Sequence, residues 1–506
     1  METTLQIKDQ VMYRPHSQSA FRKTVLQDFL QMTACVGGAV FAVYIAPSYV
    51  NLLYFLVLLG LFWRSKNDYF WFAFFLILIN TPANLFFETS SAATRRLPLY
   101  SILPGLSFSV YDLFILLGIA KVYYFKYYIG KKFTVSKSAK FLLFYIFLVS
   151  IPMSFIIGFE HTGNGFLNNF RPYFYYTLVI PFFFLVNSSK DIYKLGYLTV
   201  PYVLVTLIDQ LYLLTTGKML ATLVNPDTVR YVVENTITGG ARAYFTGYLL
   251  LFYAFLFGLQ LRMNRKYEIV SGFGYLVIIL TFTAFILSAT RSYLMMPLMA
   301  LFGYVLYSKR AAPDLVKLSL ITVVFAVIFF SLNLISWESF MKGIWPRFEA
   351  FFNVILGGGG GLQNFDTVAS RLETDLPELW EAVQYSPLVG AGFSGWFRKY
   401  INDDLGFLNS VLVLGWVGFA FLLNFIVFFL KDVNLWASKK YAGKDAKVIL
   451  HSIAILFFGI LLGYATTYDF FTVMQIERIY FVAILVGSAE VAANDIKERK
   501  KQFFNS

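Results

Sequence analysis

The 506-residue chain is 58% hydrophobic and 20% aromatic, with 14% charged residues, whereas soluble globular proteins average about 45–50% apolar and about 25% charged. That balance excludes an ordinary water-soluble enzyme and excludes intrinsic disorder. The net charge of +13 does not indicate nucleic acid, because the basic residues fall in short clusters between long apolar runs, as they do in the loops of polytopic membrane proteins.

Residues 1–28 carry Lys8, Arg14, Arg22 and Lys23 but no apolar core and no small-residue cleavage site, so the first apolar run reads as an uncleaved membrane anchor. About 20 apolar residues are needed for a helix to cross a bilayer. On that measure seven spans are predicted near 29–46, 48–63, 69–87, 107–125, 141–158, 173–187 and 197–215. The sixth is a dense aromatic run, Tyr173 to Val186, expected to tilt. Seven more follow near 244–261, 269–288, 293–307, 315–334, 408–430, 449–467 and 473–492. Only Ala289-Thr-Arg-Ser292 separates two of these, which predicts a tight helical hairpin with Arg291 at its tip.

The expected architecture is an all-α polytopic membrane protein of about 14 transmembrane helices. Its parts are a cytoplasmic tail 1–28, a membrane bundle 29–334, a large outer loop 335–407, a second bundle 408–494 and a cytoplasmic tail 495–506. The outer loop carries Trp337, Trp345, Trp380 and Trp396 and a glycine run, Gly357 to Gly361. Val368, Leu372, Leu376 and Leu379 recur at helical spacing, with Pro377 expected to divide them into two short helices. The single Cys35 excludes an intrachain disulfide and a cysteine metal site.

With both termini inside, the inner segments hold 29 of the 42 basic residues, which satisfies the positive-inside rule. By type the division is sharper, since the outer side keeps 10 Arg but only Lys218, Lys342 and Lys399. Lysine is a solubilising point charge, whereas guanidinium is a planar fork suited to phosphate and carboxylate. Two readings follow: arginines snorkelling at the outer interface, or an outward site for an anionic ligand. Charges inside a membrane cost roughly 2.5–3.5 kcal/mol each near a helix centre. The expected outer halves contain Asp112, Arg171, Asp209, Arg242, Arg291 and Arg478, and the inner halves few beyond His451. Asp112 and Asp209 read equally as partners of the arginines, and Arg478 has Glu477 beside it. Arg291 is flanked by Ser288, Thr290 and Ser292. The chain has no phosphate-binding glycine loop, nucleophile elbow or zinc motif, and His16, His161 and His451 fall in different compartments.

The loop end reads Trp380-Glu-Ala-Val-Gln-Tyr-Ser-Pro-Leu-Val-Gly390-Ala-Gly392, then Asp404-Leu-Gly-Phe-Leu-Asn-Ser-Val-Leu-Val-Leu-Gly415-Trp-Val-Gly418. This order resembles the O-antigen polymerase and ligase superfamily, in which Pro-Leu-x-Gly-x-Gly precedes a span opening Leu-x-x-x-Gly-x-x-Gly. Ser288-Ala-Thr-Arg291, Ala241-Arg242-Ala-Tyr-Phe-Thr-Gly247 and Arg171-Pro-Tyr resemble the family's arginine-headed spans. The resemblance covers roughly 160–430. It implies a membrane glycosyltransferase architecture of the C type in the bacterial inner membrane, with the site facing the periplasm. The implied substrates, as donor and acceptor, are undecaprenyl-diphosphate-linked oligosaccharides. Neither a metal nor another cofactor is implied; the partners are membrane lipid and a chain-length regulator, not nucleic acid.

By that resemblance Arg291, Arg242 and Arg171 hold the diphosphate, Asp404 is the candidate general base, and Ser288 and Arg371 contact substrate; Arg478 and Asp209, as charges in the outer halves of spans, are further candidates for substrate contact. Ligases carry His where this chain has Asp404, which favours a Wzy-type polymerase over a ligase. A lipid-linked oligosaccharide flippase is the alternative from another class.

Overall fold

The computed structural model describes residues 15–44, 48–80, 109–128, 136–144, 166–216, 248–288, 291–308, 310–331, 375–392, 405–466, 471–472 and 476–505, with a few isolated positions between. Among the described residues the regular structure is entirely helical. In chain order the helices are α1 (Pro15–Tyr44), α2 (Ser48–Arg64), α3 (Asp68–Asn80), α4 (Val110–Tyr128) and α5 (Lys137–Phe144). There follow α6 (Phe166–Phe174), α7 (Val179–Leu185), α8 (Ser189–Thr216), α9 (Tyr248–Met263), α10 (Phe273–Leu287) and α11 (Arg291–Tyr307). The last are α12 (Ala311–Ser331), α13 (Leu376–Tyr385), α14 (Gly406–Ala437), α15 (Lys444–Thr466) and α16 (Ile476–Asn505).

Among the described residues four segments are long and apolar enough to cross a membrane: Ser19–Ala42, Ser189–Thr216, Gly406–Ala437 and Ile476–Phe504. The surface chemistry agrees. Leu26, Leu30, Leu53, Val57, Val316, Leu320, Val323, Val324 and Val327 are all exposed, so outward helix faces are as apolar as the interior. Such faces suit hydrocarbon rather than water.

α16 is the axis of the bundle. It packs against α3, α7, α14 and α15, and Ile479 to Val486 are fully buried. A helix apolar on every side finds partners on every side. Beside it, Phe62, Phe72, Phe75, Phe114 and Phe182 meet ring to ring at centroid separations of 4.1–6.4 Å. α3 and α4 run antiparallel, since Asp68 meets Lys121 at 2.5 Å while Phe75 stacks on Phe114. The bundle thus has two polar ends, called here the Arg171 end and the Arg262 end.

Three local features refine the sequence reading. The aromatic run after Arg171 stays right-handed helical but changes pitch: α6, a 3-10 turn (Tyr175–Leu178) and α7 share it. Pro172 and Pro181 each lack a backbone N–H there, which interrupts helical bonding. Arg291 is the first residue of α11, at the expected turn after α10. Pro377 stands in the first turn of α13, where a missing N–H has no helical partner to lose, and the Val368–Leu372 half of the predicted pair lies outside the described residues.

Candidate functional site

The Arg171 end is assembled from the start of α4. Ser109 caps the helix and Asp112 reaches back to the Ser109 N–H, a reciprocal capping box that fixes the carboxylate. α6 then delivers Arg171 as a fork, with Nε donating to Asp112 Oδ1 at 3.0 Å and Nη2 lying 2.7 Å from Oδ2. Asp112 is therefore the arginine's partner, and it holds the guanidinium in one plane. The Ser109 and Tyr175 hydroxyls lie 3.2 Å apart and extend the network into the 3-10 turn.

Two tyrosines link this turn to the other side of the bundle. Tyr173 donates to the Thr472 carbonyl, and Tyr176 to the Phe471 carbonyl at 3.0 Å. The Thr472 hydroxyl lies 2.7 Å from that of Ser410 in α14, which accepts from Tyr464 of α15 at 2.5 Å. Tyr173, Ser410, Tyr464 and Thr472 are all buried. The chain of bonds runs from the Arg171-Pro-Tyr segment to the opening of α14.

Near that opening α14 is interrupted. Gly415 has φ +64° and ψ 176°, a conformation essentially restricted to glycine. Two intrahelical bonds are opened, and the Pro387–Gly392 segment fills the gap. Ala391 N–H donates to Leu412 O at 2.7 Å and Gly392 N–H to Val413 O at 3.0 Å. In return Trp416 N–H donates to Pro387 O at 2.8 Å and Val417 N–H to Leu388 O at 3.2 Å. The two glycine motifs quoted above are thus halves of one backbone joint, which their sequence spacing did not reveal.

The other expected residues fall as follows. Among the described residues Asp209 accepts the Leu220 N–H at 2.7 Å and is not ion-paired with an arginine. Gln210 beside it donates to Ala284 O at 2.9 Å, tying α8 to the end of α10, where the buried Ser288 hydroxyl donates to Phe285 O at 2.7 Å. Asp209 and Ser288 therefore stand on adjacent helices, three residues ahead of Arg291. Arg478 is buried in the first turn of α16. Arg242, Arg371, Asp404 and the Arg291 side chain lie outside the described residues. Among the described residues no group of three or more His, Cys, Asp or Glu is placed to hold a metal ion.

Sequence reasoning missed the polar core of the opposite end. Arg262 donates to Glu268 at 2.9 Å and to Asp314 at 2.8 Å, with its guanidinium 3.7 Å from the Tyr275 ring centroid. Asp314 also accepts from Arg265 at 3.0 Å, Tyr275 at 2.5 Å and Tyr304 at 2.6 Å. Burial pushes the Asp314 carboxyl up, but these hydrogen bonds and the Arg262 charge outweigh it and hold the group at about 2. Asp314 stands just ahead of the apolar 315–334 run. Asp445 gathers Asn264, Lys266 and Tyr267 in the same way. Glu490, buried in α16, accepts the Ser136 N–H at 3.2 Å. The Arg262 network lies just outside the predicted spans, and Glu490, near the end of the last one, adds a buried carboxylate that the sequence reading did not single out. Arginine on this face is a structural clasp, so residue type alone does not mark a ligand site. The chain matches no protein-family model, and no curated protein is matched either.

Proposed function

We propose that the chain is a polysaccharide polymerase of the Wzy type, passing an undecaprenyl-diphosphate-linked glycan to a second lipid-linked repeat at the outer face of the bacterial inner membrane. One observation carries this reading. Three motifs of the resemblance, far apart in sequence, meet at one end of the bundle. Arg171-Pro-Tyr reaches Ser410 through Tyr173 and Thr472, and the Ser410 helix is jointed to the Pro387–Gly392 turn. The full proposal includes fourteen spans, a type C glycosyltransferase architecture, cytoplasmic termini and a periplasmic site.

In the proposed reaction, an acceptor-sugar hydroxyl attacks the donor's anomeric carbon as the bond to the diphosphate oxygen breaks. A single displacement inverts that carbon. Arg171, Arg242 and Arg291 neutralise the negative charge that develops on the leaving diphosphate, which is where preorganised donors act most strongly. Asp404 receives the hydroxyl proton, although displacement of so good a leaving group as diphosphate needs little base assistance. Asp112 keeps the Arg171 fork oriented before substrate arrives.

The helix interruption at Gly415 is a feature that also favours a flippase, because transporters bind ligands at broken helices. Here the four backbone groups freed by the break all have partners in the Pro387–Gly392 turn, which argues for a joint rather than a ligand site. Purified protein given lipid-linked repeats tests the reading. Lengthened glycan without lipid flux is expected; flux without lengthening refutes it. A deletion strain separates polymerase from ligase, since loss of a polymerase leaves single repeats displayed and loss of a ligase leaves none.

A further inference from the structure

The joint at Gly415 has no tolerance for a side chain. A Cβ on Gly415 would lie 2.3 Å from the Leu388 carbonyl carbon and oxygen, and one on Gly390 would lie 2.3 Å from Gly415 N and 2.5 Å from Val413 O. These obstacles are backbone atoms, which have no rotamer to yield. Gly390 also has φ +79°, a value that favours glycine. The piece of α14 beyond the break, Gly406 to Leu414, therefore takes its placement from the turn that locks it. That piece carries Ser410, whose hydroxyl leads through Thr472 to Tyr173 and so to the Arg171 helix. Asp404 lies two residues before its first residue.

We propose that Gly390 and Gly415 are positioning residues: their backbone joint is a permanent brace that sets the α14 end, and with it Arg171, for transfer. The part that concerns transfer rests on the polymerase reading; the brace itself does not. The turn and the helix stay joined through the catalytic cycle, so opening for substrate occurs elsewhere.

The chain has one cysteine, so Cys35→Ala gives a clean background for thiol chemistry. Leu388→Cys with Val417→Cys places two thiols on residues that share a backbone hydrogen bond of 3.2 Å. The pair should oxidise to a disulfide, and tethered protein should transfer glycan within about two-fold of the reduced form. Separately, Ser410→Cys should react slowly with a maleimide, since Ser410 is fully buried. Adding Gly415→Ala should speed that labelling about ten-fold or more by loosening the brace. It should also lower kcat by about ten-fold with a smaller change in KM, because misplaced groups cost transition-state contacts first. Gly459→Ala is the control, since its Cβ meets nothing closer than 3.7 Å. Unchanged labelling and kcat in Gly415→Ala overturn the proposal, as does a tether that abolishes transfer. Cysteine variants that tether and label as expected, in a protein whose Cys35→Ala parent transfers no sugar, overturn the polymerase reading alone.

Discussion

Replacing Asp112 with Asn keeps the shape of the side chain and removes its charge. Oδ1 accepts from Arg171 Nε, whereas Oδ2 is ion-paired with Arg171 Nη2 and accepts from both the N–H and hydroxyl of Ser109. An amide offers one oxygen and one NH2, so either orientation sets a donor against a donor. The Arg171 side chain is only 12% exposed, so it is left charged and half-partnered in a dry site. Breaking a buried pair from one side costs about 3–5 kcal/mol in soluble proteins. Interhelical bonds in membranes run lower, averaging about 0.6 kcal/mol. For a buried ion pair with one such hydrogen bond we expect about 3 kcal/mol, roughly a 150-fold shift in the unfolding equilibrium.

Reversible unfolding in mixed micelles, followed by tryptophan fluorescence, measures this loss. Adding Arg171→Gln to Asp112→Asn removes the orphaned charge and should recover most of it, to within about 1 kcal/mol of wild type. The double variant should regain stability but not glycan transfer, because the fork for the diphosphate is gone. A single variant costing under about 0.5 kcal/mol would refute the energetic argument. Recovery of transfer along with stability would reduce Arg171 to a structural arginine.

Arg291→Lys keeps the charge at the start of α11 but removes the fork, so turnover should fall several-fold at equal expression, each charge-assisted bond being worth roughly 1.5–3 kcal/mol; unchanged chain lengthening removes Arg291 from the site. Lys317→Arg should be neutral in the same assay. The Asp314 carboxyl is held at about 2, below the ordinary value of about 3.9. Its contribution to stability is thus complete above the ordinary value and lost as pH falls from about 4 towards 2. Unfolding midpoints should fall across that acid window for wild type and stay flatter for Asp314→Asn, with no effect of this group between pH 6 and 8; equal acid slopes would rule out the Arg262 clasp as the source.

Helical membrane character was legible in the amino-acid sequence because apolar length is a local property. Described helices coincide with many of the predicted runs, and Arg291 stands at the predicted turn. The Ser109-x-x-Asp112 capping box is equally local and was there to be found. Partnership is different, because it depends on which helices become neighbours. Only tertiary packing gave Asp112 to Arg171, 59 residues away, and set the Leu220 N–H on Asp209. Packing also buried Arg262 against Asp314 and placed Glu490 against Ser136. The glycines of both motifs were plain in the sequence, yet α14 breaks at Gly415 only because the Pro387–Gly392 turn supplies the bonds the helix gives up. A broken helix inside a membrane must exchange its own hydrogen bonds for another segment's, and no sequence spacing states which segment that is.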